Sequence, residues 1–232
     1  MVNHGEGHDR ETRVRVLDAA ARLFAERGFN HVSIRDICKE ANSNVASVNY
    51  HFGDKLGLYR ELISTVAESM NDAKNQAFEA GEGGAPEERL RAYIRRFLQQ
   101  LLSPDLGKNC WLDKLIAREM SEPTAALDLI IEKGIKPAGE RLNKLVSEVM
   151  GLPVADPRVV LGGTNIQALC LWYRNTRTVA ERMIPGLQYT PEVVDGLAEV
   201  VASFSLAGLA AMARQPMGAE VFVPAESAAG KG

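Results

Sequence analysis

Apolar residues recur along this chain at steps of three and four, the period of one face of an α-helix, and seldom at the steps of two that mark a strand. Leu17, Ala20, Ala21 and Phe24 fall at i, i+3, i+4 and i+7, and Gly28 follows where a left-handed residue ends a helix. Ser33-Ile34-Arg35-Asp36 has the form of a capping box, with Asp36 in place of the usual Glu, and Ile34, Ile37, Cys38 and Ala41 give a short second helix its apolar face. In the turn that follows, Asn42 tolerates the left-handed region and Asn44 can cap a third short helix over residues 45–51. Val48 and Phe52 then face inward, and Ser47, Asn49 and Tyr50 outward. Asp54 caps a long helix to about residue 80, with Leu58, Leu62, Val66 and Met70 at i+4 steps.

A Gly-rich linker at 81–86 is followed by more helical periodicity. It predicts helices over 87–102 and 110–120, one over 122–150 bent at Pro137, and others over 157–173 and 177–184. A last helix covers 191–214 and ends in a loose Ala/Gly/Pro-rich tail. Asp156-Pro157 and Thr190-Pro191 are cap-plus-proline starts. The expected fold is all-α: a three-helix N-terminal domain over 10–55 and a helical bundle over 56–214, between a flexible arm (1–9) and a flexible tail (215–232).

Composition alters this picture little. The 232 residues are 46% hydrophobic and 25% charged, which excludes wholesale disorder, and the net charge of −3 does not suggest a protein coated in nucleic acid. Charge is unevenly placed, however. Residues 1–60 hold nine Lys/Arg against eight Asp/Glu and all four histidines, so the acidity resides in the rest. Cys38, Cys110 and Cys170 are widely spaced and odd in number, which fits a reducing cytoplasm. The N-terminus has no signal-peptide pattern, and the longest nearly apolar run, 200–213, is short for a membrane span.

Two short helices joined by a three-residue turn behind a longer one read as a helix-turn-helix, whose second helix enters the DNA major groove. The helix at 45–51 starts with small residues, Val45 and Ala46, so it can approach base edges closely. Ser47, Asn49 and Tyr50 can hydrogen-bond there, and Asn pairs bidentately with adenine. Lys55 can reach a phosphate. Three packed helices of an ordinary bundle are the alternative reading of the same pattern.

The residues themselves carry a resemblance. Ala19-Ala20-Ala21-Arg22-Leu23-Phe24-Ala25-Glu26-Arg27-Gly28-Phe29, Val32-Ser33-Ile34-Arg35-Asp36-Ile37 and Asn49-Tyr50-His51-Phe52-Gly53-Asp54-Lys55 resemble the DNA-binding domain of the TetR family of bacterial transcription regulators. The resemblance covers residues 10–62. It implies DNA contacts from Arg10, Arg13, Ser33, Arg35, Asn44, Val45, Ala46, Ser47, Asn49, Tyr50, His51 and Lys55, the last two of them to phosphate. The chain departs from the family at Asn49, where Tyr is common, and at Asn42-Ser43-Asn44, where Gly-Val-Ser is common. Ser43 thus replaces an apolar turn residue and is expected to loosen the motif. The Asn-Tyr-His-Phe form is similar to a subgroup that also carries a segment like Leu115–Pro123.

The resemblance further implies a regulatory domain that dimerises and binds a small molecule. Family dimers usually pair the last two long helices. In the final helix here, Ala198, Ala202, Ser205, Gly208, Leu209 and Met212 are the candidate contacts, because small residues let helices approach closely. For a pocket, Phe97, Trp111, Met120, Cys170, Trp172 and Tyr173 offer aromatic and soft surface, and Arg118, Gln167 and Arg174 could orient a polar group. Core packing is the alternative for each apolar one, and a structural charge pair the alternative for Arg118-Glu119.

The function expected is that of a homodimeric repressor on a palindromic operator, released when an unidentified effector tilts the helix that starts at Asp54. Its partners are then duplex DNA, a second copy and the effector, with neither membrane nor metal nor cofactor. A helical adaptor and an enzyme are the alternatives. No G-x-S-x-G, P-loop, G-x-G-x-x-G or H-E-x-x-H motif occurs, and His4 and His8 beside Glu6 and Asp9 lack a scaffold to fix metal geometry.

Overall fold

The structure, a computed structural model, describes residues 4–102 and 110–215. The described residues are helical throughout, with no strand among them: α1 (His4–Arg27), α2 (Ile34–Glu40), α3 (Val45–Phe52), α4 (Lys55–Glu79), α5 (Pro86–Leu102), α6 (Cys110–Ser121), α7 (Leu127–Ile130), α8 (Lys136–Met150), α9 (Pro157–Asn175), α10 (Arg177–Met183) and α11 (Pro191–Arg214). The expected loose tail lies outside the described residues. Residues 4–9, expected as part of an arm, are the first turns of α1.

Packing divides the chain into two units, residues 1–71 with 105–137 and residues 72–104 with 138–232. The first unit is therefore larger than the helix-turn-helix: α6, assigned from sequence to the regulatory domain, packs on α1.

The local signals in the first unit act as their chemistry dictates. Ser33 Oγ accepts from the Asp36 amide at 3.2 Å while the Asp36 carboxylate accepts from the Ser33 amide at 2.9 Å, closing the capping box of α2. Asn42 takes φ 46°, and the Asn44 side chain accepts from the Ser47 amide at 2.8 Å to start α3. Asp54 accepts from the Gly57 amide at 2.7 Å ahead of α4. Ser43 Oγ, placed where the family carries an apolar residue, is buried with no partner among the described residues.

The core of this unit gathers Val16, Phe24, Ile37, Val48, Leu58, Tyr59 and Leu115. Phe24, Phe29 and Tyr59 form an aromatic cluster with ring centroids 4.8–5.8 Å apart. At its base is a buried carboxylate. Glu119 of α6 accepts from Tyr59 Oη of α4 at 2.7 Å and, on its other oxygen, from the backbone amide and hydroxyl of Thr124, each at 2.7 Å. Hydrogen bonds to an ionised group are the strong kind, and all of these donors would be orphaned without it. Burial, and then the bond to Glu119, push the Tyr59 hydroxyl well above the ordinary tyrosine range.

That carboxylate also explains a departure from the expected helix over 122–150. The Thr124 amide bonds to Glu119 rather than to a helical carbonyl, so helix resumes only at Leu127. The chain then passes through a π-type turn, Ile131–Ile135, where Gly134 lies so close to Ala67 of α4 that a Cβ would meet its carbonyl oxygen at 3.2 Å. The chain stays helical from 127 to 150, and the π-type turn lies directly before Pro137, whose missing N–H and ring interrupt the regular ladder at the place where the sequence pattern puts a bend.

The second unit packs α5, α8, α9 and α11 around Leu90, Tyr93, Ile94, Leu98, Leu142, Ile166, Cys170 and Ala202. Gly162 lets α9 close on α11: a Cβ there would meet Leu209 at 2.5 Å. Arg91 and Arg95 of α5 pair with Glu199 of α11, and Gln99 donates to Asp195 at 2.7 Å. Asp156 caps α9, and its hydrogen bond to Arg158 holds its carboxyl down at about 2. Arg158 in turn donates to the carbonyls of Ala213 and Gln215 at the end of α11, 3.2 and 2.9 Å away.

Two stability changes are expected. Glu119→Ala strands the Tyr59 hydroxyl and the Thr124 donors and should cost about 3 kcal/mol in urea unfolding, with Glu119→Gln costing well under half of that. A loss below about 0.5 kcal/mol would show that the carboxylate is dispensable. Ser43→Val removes an unsatisfied buried hydroxyl and should raise stability by about 1 kcal/mol; a loss would mean the turn cannot take the branched side chain.

Candidate nucleic-acid interface

Helix α3 presents two faces. Val48 and Phe52 are buried in the core of the first unit, and Val45, Ala46, Asn49 and Tyr50 are exposed. Tyr50 is 78% exposed, although a tyrosine this accessible forgoes the burial its ring would otherwise gain. Ser47, read from sequence as outward, is half-buried beside its cap. The outward side chains are the small, amide and phenolic groups able to touch base edges.

The other expected DNA contacts divide into two groups. Arg10 on α1 and Arg35 on α2 are exposed, with no hydrogen bond or ion pair to the described residues. Others are engaged within the unit. Arg13 pairs with Glu61 of α4 and lies 5.6 Å from the centroid of the Phe52 ring. Ser33 and Asn44 are held by their capping bonds.

Two residues depart most from expectation. The His51 side chain is only 7% exposed, its Nε2 being 3.3 Å from the Asp9 carboxylate of α1, so here it ties α3 to α1 and is turned from solvent. Lys55 Nζ sits 4.3 Å from the centroid of the Phe29 ring, a cation–π contact, and partial burial lowers its pKa from the usual lysine range. Half-buried at the first turn of α4, it steadies the aromatic cluster behind α3.

Sequence reasoning missed what holds α1 in place. Arg118 of α6 donates from Nε to the Ala25 carbonyl at 3.0 Å and from a terminal nitrogen to the Glu26 carbonyl at 2.8 Å. These carbonyls end α1, where a cation satisfies unpaired acceptors and the negative end of the helix dipole. The contact joins residues more than ninety positions apart, which no local pattern reveals.

The residues read as a pocket are divided between the two units. Trp111 and Arg118 belong to the first unit with Met120, which is exposed; Phe97, Gln167, Cys170, Trp172, Tyr173 and Arg174 belong to the second. Arg118 borders an open cleft of about 580 Å³ that neither Trp111 nor Met120 lines. In the second unit Phe97 and Cys170 are core residues, Gln167, Tyr173 and Arg174 are half-buried, and Trp172 points outward.

The dimer candidates also need correction. Ala198, Ala202, Ser205 and Leu209 are buried against the other helices of their own unit, and Gly208 and Met212 are half-buried. The small size of Ala198, Ala202 and Ser205 serves packing within the chain, whereas a Cβ at Gly208 would meet nothing within 4 Å and that position stays open. The outward face of α11 carries Val193, Val200 and Phe204 instead.

Comparison with known proteins decides the family. Residues 16–62 match the family described as bacterial regulatory proteins, tetR family, and residues 86–212 match the C-terminal domain of the HTH-type transcriptional dual regulator CecR. CecR of Shigella flexneri is 31% identical over 159 residues, covering 65% of this chain and 70% of that protein. The chain belongs to the TetR family.

Other TetR-type regulators agree. AcrR of Shigella flexneri is 30% identical over 105 residues, covering 45% of this chain and 48% of its own. Solved structures show the same fold at low identity. A transcriptional regulator from Pseudomonas aeruginosa PAO1 matches with a TM-score of 0.64 at 21% identity, covering 87% of this chain and 93% of that one. SCO4454, a TetR-family regulator from Streptomyces coelicolor, gives 0.58 at 20%, covering 87% and 97%. This TetR-family chain is thus a DNA-binding transcriptional regulator.

The exposed groups separate by role. Arg35→Ala should weaken binding to all duplexes alike and lower the slope of log affinity against log salt by about 0.9, by removing one phosphate contact. Asn49→Ala should cost about 1–3 kcal/mol on the selected operator and almost nothing on random DNA. Fluorescence anisotropy across a salt series checks both. An Asn49→Ala loss of equal size on both duplexes would place that residue on the backbone instead of a base.

Proposed function

We propose that this regulator is a homodimeric repressor that reads a palindromic operator in the cytoplasm and leaves it when a small-molecule effector binds. The observation that carries the reading is an outward apolar stripe on the second unit. Phe204 is 68% exposed and Val200 and Val193 lie on the same face of α11, while Val160, Ala168 and the 64% exposed Trp172 stand at four- and eight-residue spacings along one face of α9. Patches of this kind mark association surfaces. A recognition helix reads one half-site, so a second copy supplies the other, and a two-fold interface makes operator and protein symmetry match.

Binding of DNA is coupled to the effector only as far as the effector prefers one conformational state over the other. CecR is named a dual regulator, so activation at some promoters is the second reading, and transcription in vitro from the selected operators separates the two.

The dimer comes first among the tests. Each substitution in a two-fold interface acts twice, so Phe204→Asp should weaken self-association by about 3–6 kcal/mol, giving monomers in sedimentation at micromolar concentration. Operator selected from random DNA should then be bound poorly by the variant, and its binding to random duplex should change little. Phe204→Asp that remains dimeric and still binds the operator would remove α11 from the interface.

A further inference from the structure

The first turns of α1 bring an acid onto the end of α3. Asp9, Thr12, Arg13 and Val16 fall at i, i+3, i+4 and i+7 on one face of α1. Thr12 and Val16 are buried, whereas Asp9, at the end of this face, is exposed. Its carboxylate is 3.3 Å from His51 Nε2, and neither side chain makes another hydrogen bond or ion pair with the described residues. His51 stands in the last turn of α3, its ring 5.1 Å from that of Tyr50 and 5.8 Å from that of Phe52. Phe52 is buried and Tyr50 is exposed, so His51 marks the rim between the core and the outward face of α3. Arg13, on the same face of α1, is paired with Glu61 and lies over Phe52. Among the described residues no arginine or lysine pairs with Asp9.

Such a pair is held weakly. The Asp9 side chain is 53% exposed, and solvent screening leaves ion pairs of that exposure worth little. The separation also exceeds the roughly 2.7–2.9 Å of a full charge-assisted bond. A DNA phosphate offers the imidazole the same chemistry as the carboxylate does, an anionic oxygen that accepts from an N–H. The Nε2 hydrogen serves one strong acceptor at a time, so the carboxylate and a phosphate arriving at the rim are alternatives for it. Left in place, the carboxylate also presents a like charge to the duplex. Exchanging the two disturbs little else, because Val48 and Phe52 hold α3 to the core.

We propose that Asp9 is an internal competitor of the DNA backbone: it holds His51 against α1, and a phosphate must displace it before the imidazole joins the interface. The pair lowers the affinity of the head for every duplex without reading a base. This rests on α3 being the helix that faces DNA. Opening forfeits one exposed, long bond and returns a bond from His51 to phosphate, so the contact is weak enough to yield and strong enough to subtract from binding.

The test is a double-mutant cycle in the full chain, read by fluorescence anisotropy on the selected operator and on a random duplex. Binding is measured at one pH and at about 0.15 M salt, where charges more than about 8 Å apart are screened. Asp9→Ala should bind both duplexes about threefold to tenfold more tightly, since His51 is then free for phosphate. A salt series should show the slope of log affinity against log salt steepening by up to about 0.9, the mark of one further phosphate contact. His51→Phe keeps the ring contacts and removes the N–H, and in that background Asp9→Ala should change affinity less than about twofold. Equal gains in the two backgrounds would leave Asp9 a bare like charge and overturn the competition. Unchanged or weaker binding by Asp9→Ala would overturn it as well. So would a melting temperature more than about 4 °C below the parent, which would make the pair a structural tie. Asn49→Ala tests the premise separately. Unchanged operator affinity in that variant would take α3 off the DNA, whereas a loss there with no gain in Asp9→Ala would sink the competition alone.

Discussion

The first unit depends on one buried carboxylate. Glu119 is the meeting point of α4, through Tyr59, and of the segment after α6, through Thr124, with every oxygen engaged. A buried charge is tolerable only when it is satisfied this fully, and the same requirement makes it specific: a shift of about an ångström in α4 would break a short charge-assisted bond. Its neighbour Arg118 reaches the other way, to the carbonyls that close α1. Two adjacent residues of α6 therefore hold the two long helices of the head, and α3 is packed against what they hold through Val48 and Phe52. The helix-turn-helix owes its placement to a segment about seventy residues downstream of it.

This changes how DNA binding by a chain of net charge −3 is understood. Much of the positive charge in the head is engaged within it, in Arg13 to Glu61, Arg22 near Glu40 and Lys55 over Phe29. Arg10, Arg27, Arg35, Lys39 and Arg60 are exposed and make no ion pair with the described residues. The uncharged outward side chains of α3, Asn49 and Tyr50, stand on a packed scaffold, and contacts of such groups to base edges are the kind that carry sequence selectivity. One helix, α4, contributes Tyr59 to the lock on the head and Lys74 and Phe78 to the second unit.

Sequence was a good guide wherever the physics is local. The Ser33–Asp36 box, the left-handed Asn42 and the caps Asn44, Asp54, Asp156 and Thr190 each depend on residues within three positions, and each is seen as a side-chain bond or a backbone angle. Failures came where the partner is distant. Nothing near Glu119 announces Tyr59, sixty residues away, so the non-helical stretch before Leu127 could not be read. His51 looks like a phosphate ligand until Asp9 folds back onto it. One miss was avoidable: the i+4 series Leu58, Leu62, Val66, Met70 steps next to Lys74 and then Phe78, so a lysine stands in the apolar row of α4, and it is buried there.

The small residues of α11 show why composition alone misleads about interfaces. A helix with Ala, Ser and Gly spaced along it can approach any neighbour closely, in its own chain or in another. Here Ala198, Ala202 and Ser205 are buried in the helix's own unit, Gly196 and Gly208 face open space, and the bulky Val200 and Phe204 are left outside. The helix is apolar enough over an 18-residue window, at a mean hydropathy of 1.6, to meet the length and composition of a membrane span, yet only 28% of that window is buried. An apolar helix covered on one face within the chain needs an apolar cover on the other. Lipid would require the whole circumference to be apolar, and Arg91 and Arg95 bind Glu199 of this helix while Gln99 binds Asp195. Those polar ties anchor α11 to α5 along one edge and leave the Val193–Val200–Phe204 face for a flat protein surface of the same kind. The stripe on α9 meets that description, and a second copy presents both stripes at once.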